Sequence, residues 1–241
     1  EFHFTRQPKN ATVLEDSRYA LHCMARGEGA CRRKVNVKVK WFKDGVRIPK
    51  KGPNYRTIRT SGTLRFNNIK ITDRGEYYCK AVCKRHRLTS NEATIQVEAK
   101  AKFTEMHPHD RNIVTGSPIQ LKCIVAGIPT PQIEWHQENF TLSEGEVPGV
   151  KIQTNNDSSH IVRSILYIPR VDHNVTFTCL ASNTPLGKKE VIERRAKVVV
   201  LPKRDPEAAE PGPSDSDTIQ YSCESDDILC LMAYHLSSRE F

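Results

Sequence analysis

Apolar and polar residues alternate along much of the chain. Tyr19, Leu21 and Cys23 are separated by Ala20 and His22, and Val35, Val37, Val39 and Trp41 alternate with Lys34, Asn36, Lys38 and Lys40. Ala93, Ile95 and Val97 continue the same rhythm later on. A period of two sends successive side chains to opposite faces, so each run predicts a strand with one face in a core and one in water. Thr63 to Ile69 reads as a further strand. The pattern then returns, with Ile119, Leu121 and Cys123, then Ile133 and Trp135, then Ile165 to Ile168. The expected class is all-β.

The return has a fixed length. Cys23, Trp41 and Cys79 in the first unit correspond to Cys123, Trp135 and Cys179 in the second, and both cysteine pairs are 56 residues apart. Leu-x-Cys23, Trp-Phe-Lys-Asp-Gly45 and Asp73-Arg-Gly-Glu-Tyr77-Tyr-Cys79, with Cys179-Leu-Ala-Ser-Asn183 in the second unit, resemble the I-set immunoglobulin domains of cell-surface receptors and adhesion proteins. The resemblance implies two tandem β-sandwiches, residues 1–100 and 101–201, each closed by an inter-sheet disulfide, Cys23 to Cys79 and Cys123 to Cys179. It also implies that Tyr77 returns its hydroxyl to the corner backbone near Asp73. Phe177 stands where Tyr77 would be in the second unit, so that bond is expected in the first alone. About three or four residues are expected between the last strand of one unit and the start of the next near Lys102, a short and stiff connection.

Within this frame two cysteines are extra. Cys31 lies in a connection that carries Trp41 to 18 residues beyond Cys23, against 12 in the second unit, and Cys83 keeps the inward parity of Cys79. Both strands run toward the same end of the sandwich, so Cys31 and Cys83 are expected to pair roughly 13 Å beyond the first bridge, at ~3.3 Å per residue. Two roles are open to such a staple: holding a long loop, or stiffening a binding loop. A zinc site with His86 lacks the spacing of four ligands. Cys223 and Cys230 complete a count of eight that is consistent with four bridges, and eight cysteines in 241 residues indicate an oxidising, extracellular setting.

Charge changes the picture most. The net charge of +9 divides into +14 over residues 1–100, +1 over 101–201 and −6 over 202–241. Arg32, Arg33 and Lys34 precede one strand, Lys38, Lys40 and Lys80 point outward by alternation, and Lys84, Arg85, His86 and Arg87 form a loop. Such a cluster can bind a polyanion by counterion release. Outside the cell that polyanion is heparan sulfate and not nucleic acid. A solvated face and a surface for an acidic protein are the other readings. Sequons at Asn10, Asn139, Asn156 and Asn174 mark candidate glycosylation sites, three of them in the second unit and none within the basic segments.

Residues 202–241 open with a Pro-, Ser- and acid-rich run and read as a disordered acidic tail or stalk. The longest apolar run there, Ile228 to Tyr234, is seven residues, far short of the ~20 that span a bilayer, so any membrane anchor is expected outside this chain. Phosphate-loop, Gly-x-Ser-x-Gly and His-Glu-x-x-His motifs are absent, and no cofactor or enzyme activity is expected. Tandems of this kind occur in receptor tyrosine kinases, adhesion molecules and secreted ligand-binding proteins. The expected function is therefore recognition of an extracellular protein ligand by a cell-surface receptor or adhesion glycoprotein, with heparan sulfate contact through the basic unit. A secreted growth-factor-binding protein and a matrix protein are the alternatives.

Overall fold

The structure, a computed structural model, describes residues 1–33, 36–158 and 160–203. Lys34, Val35, the acidic tail from Arg204, Cys223 and Cys230 lie outside the described residues. Nineteen strands are found among those described, with a few short 3-10 turns between them.

The first sandwich contains β1 (His3–Arg6), β2 (Ala11–Leu14), β3 (Tyr19–Leu21), β4 (Met24–Arg26), β5 (Lys38–Lys43), β6 (Val46–Arg47), β7 (Tyr55–Ile58), β8 (Thr63–Phe66), β9 (Gly75–Cys83), β10 (His86–Thr89) and β11 (Ala93–Phe103). One layer orders β11, β9, β5 and β6, with β2 parallel to β11 and β10 beside β9; the other is built from β3, β8 and β7 with the β1–β4 pair. Between the layers Leu21, Trp41, Leu64, Phe66, Tyr77 and Ile95 are almost completely buried around Cys23 and Cys79. The Trp41 indole N–H donates to the Gly62 carbonyl at 3.1 Å, which satisfies its one polar atom inside the core.

The second sandwich contains β12 (Arg111–Val114), β13 (Ser117–Ile128), β14 (Gln132–Gln137), β15 (Phe140–Leu142), β16 (Lys151–Ser158), β17 (Ile161–Val171), β18 (Val175–Asn183) and β19 (Glu190–Leu201). Its layers are β13, β17 and β16 against β12, β19, β18, β14 and β15. Trp135 packs beside the Cys123–Cys179 bridge and donates to the Ser164 hydroxyl at 3.0 Å.

Three sequence expectations need correction. The strand expected from Lys34 begins at Lys38, because Asn36 is drawn into a loop by its backbone N–H to the Arg33 carbonyl, 3.0 Å, and its side-chain amide to the Ala30 carbonyl, 2.7 Å. The strand through Tyr19 and Cys23 is split into β3 and β4. Gly62, at φ +63°, passes so close to the Cys23 carbonyl that a Cβ there would lie 2.0 Å from it, and this crossing ends the ladder. The expected connection between units is itself strand. β11 runs without interruption to Phe103, pairing with β9 at Ala93–Ile95 and with β13 at Ala99–Phe103.

Candidate functional site

The tip of the first sandwich is made by a chain reversal and a staple. β9 carries Tyr77, Cys79, Ala81 and Cys83 inward in strict alternation, and β10 returns from it through a two-residue turn at Lys84–Arg85, where Lys84 takes φ +51°. Across from it, Cys31 sits in a 3-10 turn over Gly29–Arg32. Cys31 and Cys83 are disulfide-bonded with Cα atoms 5.9 Å apart, and both are buried. Around the bridge Ala25, Val37 and Ala81 form a small second core, flanked by Phe2, Phe4, Val39 and Leu88. The tip is therefore a packed body with its own apolar centre. The small side chains of Ala25 and Ala81 leave room for the two extra sulfur atoms, and the inward parity of Cys83 was the sequence signal for this packing.

This construction decides where the cations go. Arg32 and Arg33 leave the 3-10 turn exposed, and Lys84, Arg85, His86 and Arg87 are exposed on the neighbouring turn and strand. Lys38, Lys40 and Lys80 project from the outer face below them. The register places Lys38, Val82 and Arg87 in one row and Lys40, Lys80 and Thr89 in the next. Lys40 and Lys80 are thus direct cross-strand partners of like charge, an arrangement that costs stability. Phe42 and Tyr78 stack beneath them with centroids 4.9 Å apart, and the Lys80 ammonium lies 4.8 Å from the Phe42 centroid. That aromatic pair offsets part of the repulsion by a cation–π contact. Among the described residues none of these tip and face cations forms an ion pair.

Sequence reasoning missed the side of this face. Arg47, Lys50 and Arg59 line a groove of about 360 Å³ together with Lys38 and Lys40. Their signal was present in Arg47-Ile-Pro-Lys-Lys51 and in Arg59. Only the approach of the segment after β6 to the end of β7 makes them neighbours.

At the opposite end of β9, a 3-10 turn over Ile71–Asp73 forms the corner, and the Tyr77 hydroxyl donates to the Asp73 carbonyl at 2.6 Å. Burial, helped by the Asp73 carboxylate, pushes the Tyr77 phenol far above its ordinary range. Phe177 fills the matching place in the second sandwich and is equally buried. Asn10, Asn139, Asn156 and Asn174 are all exposed. The Oδ1 atoms of Asn10 and Asn174 accept from the backbone of Thr94 and Val200, at 2.9 and 2.8 Å. Among the described residues no group of three acidic, histidine or cysteine side chains is placed to hold a metal, and no helix is long and apolar enough to cross a membrane.

Residues 2–98 match the family model for the immunoglobulin I-set domain and residues 100–183 that for the immunoglobulin domain. The chain is a tandem of two immunoglobulin domains. The tandem is similar to neuroglian of Drosophila melanogaster, at 28% identity over 64% of the chain and 11% of that protein. It is also similar to the human receptor-type tyrosine-protein phosphatase F, at 26% identity over 79% of the chain and 9% of that protein. The chain therefore spans about a tenth of the length of these curated relatives. Among solved structures, the insect immune protein hemolin superposes with a TM-score of 0.62 at 19% identity, covering 83% of this chain and 47% of that one. At that identity the likeness concerns the fold of the tandem alone.

Proposed function

We propose that this tandem is a non-catalytic extracellular recognition module of a cell-surface receptor or adhesion glycoprotein. It binds a protein partner through domain 1 and contacts a sulfated glycan such as heparan sulfate through the same basic surface. The carrying observation is the pair Lys40 and Lys80, held directly opposite each other and next to Lys38 and Arg87, with no acid paired to any of them among the described residues. A face that keeps a repulsive arrangement on a rigid sheet is preorganised for an anionic partner, which regains that energy on binding. Relatives that are receptors by name support the cell-surface part of the reading, as do the three disulfides of the described residues.

The test is chromatography of the full chain on heparin resin, beside a variant carrying Lys40→Glu and Lys80→Glu. The wild-type chain should elute at clearly higher salt than the variant. Elution of the wild-type chain with neutral immunoglobulin domains would refute the glycan part of the reading.

A further inference from the structure

The groove beside the basic face has walls from both layers of the first sandwich. On one side are Lys38 and Lys40 of β5 and Arg47 of β6; on the other is Arg59, just past β7. The segment that crosses between the layers carries Lys50. It is held at both ends, by the Ile48 N–H to the Trp41 carbonyl at 3.1 Å and by the Thr57 N–H to the Lys50 carbonyl at 2.8 Å. The Thr57 hydroxyl adds a second bond to that carbonyl at 3.2 Å. The floor is apolar, built from Val39, Ile48 and Ile58 over the buried Trp41.

Five of the eleven lining residues are Lys or Arg and none is acidic. Among the described residues none of the five has an ion-pair partner. The volume of about 360 Å³ falls within the ~300–1,000 Å³ typical of ligand sites.

We infer that this groove is the subsite that seats a short segment of a sulfated glycan, while the stapled tip remains free for the protein partner. The inference rests on the reading of domain 1 as a polyanion-binding surface and assigns it a place. Charge density selects the occupant. An extended acidic peptide presents one carboxylate to a given face only every second residue, about 6.6 Å apart. Five cations around one groove are matched by a chain that carries several sulfates and one carboxylate per disaccharide. Sugar rings also present C–H faces that suit the floor of Val39, Ile48 and Ile58.

Titration calorimetry on the full chain with a fully sulfated heparin hexasaccharide tests this, using two variants that each remove three charges. One carries Arg47→Gln, Lys50→Gln and Arg59→Gln; the other carries Arg32→Gln, Arg33→Gln and Arg85→Gln. The groove variant should bind at least tenfold more weakly, with a log K against log salt slope lower by about 2, whereas the tip variant should lose threefold or less. Equal losses would mean that charge alone matters and would overturn the groove while leaving the glycan reading intact. Loss confined to the tip variant would overturn it as well. Poly-glutamate that binds as tightly as the hexasaccharide, with the same dependence on the groove, would replace the glycan with an acidic peptide. Absence of binding by the wild-type chain would remove the glycan reading together with the groove.

Lysine acetylation of the unmutated chain, with and without the hexasaccharide, keeps the test independent of any folding defect. Protection of Lys40 and Lys50 is the expected result, and protection of Lys84 alone is the overturning one.

Discussion

Tyr77 and Phe177 occupy matching places in two similar cores and differ by one oxygen atom. The Tyr77 hydroxyl has a single clear partner, the Asp73 carbonyl. Tyr77→Phe should therefore destabilise domain 1 by about 0.5–1.5 kcal/mol at neutral pH, read by chemical denaturation of the full chain. The same residue predicts an alkaline limb. Burial holds the folded phenol neutral to well above the ordinary 10.0, whereas the unfolded chain ionises there. Stability contributed by Tyr77 is thus intact below pH 10 and is lost as pH rises beyond it. Denaturation at pH 7 and pH 10.5 should show a larger decline for the wild-type chain than for the Phe variant, and equal declines would contradict the assignment.

For the loop and strands at the tip, the decisive contact is the Cys31–Cys83 bridge, which closes a 52-residue separation and stands in its own small core. Replacing both cysteines with alanine should cost about 2–4 kcal/mol. The larger consequence is local. Freed from β9, the turn at Gly29–Arg32 would keep short-range hydrogen bonds such as Asn36 to Ala30 but lose its covalent tie to the sheet. Limited proteolysis should then cut at Arg32 or Arg33 while the Cys23–Cys79 core persists. Resistance equal to that of the wild-type chain would show that the loop is held by packing alone.

Across both domains the principal connection is β11, a strand that belongs to two sheets in turn. Asn183 secures it. Its side chain is buried, donates to the Ala99 and Pro129 carbonyls at 2.8 and 3.0 Å, and accepts from the Ala101 N–H at 3.0 Å. Asn183→Leu leaves three backbone groups without their partner and should cost about 1–3 kcal/mol. Hydrogen exchange should locate the loss at Ala99–Ala101, and undiminished protection of Ala101 would contradict this. Asn183 ends the motif Cys179-Leu-Ala-Ser-Asn183, yet nothing in that string indicates which backbone it would hold.

The alternation of Val37, Val39 and Trp41, the two Cys-Trp-Cys units and the inward parity of Cys83 were legible in the sequence. Each is a local consequence of a two-residue period or of a fixed spacing along one strand. By themselves they determined an all-β tandem and the outward direction of Lys38, Lys40 and Lys80. Arg47, Lys50 and Arg59 were not legible as a site, because they lie on separate segments that meet only where one layer crosses to the other. The form of the joint between the domains depended on a similar long-range contact. The three or four residues before Lys102 read as a short connection, and pairing with β13 continued β11 through them. Tertiary structure decided those features because register and the approach of the layers depend on contacts between distant residues, to which a periodic pattern is blind.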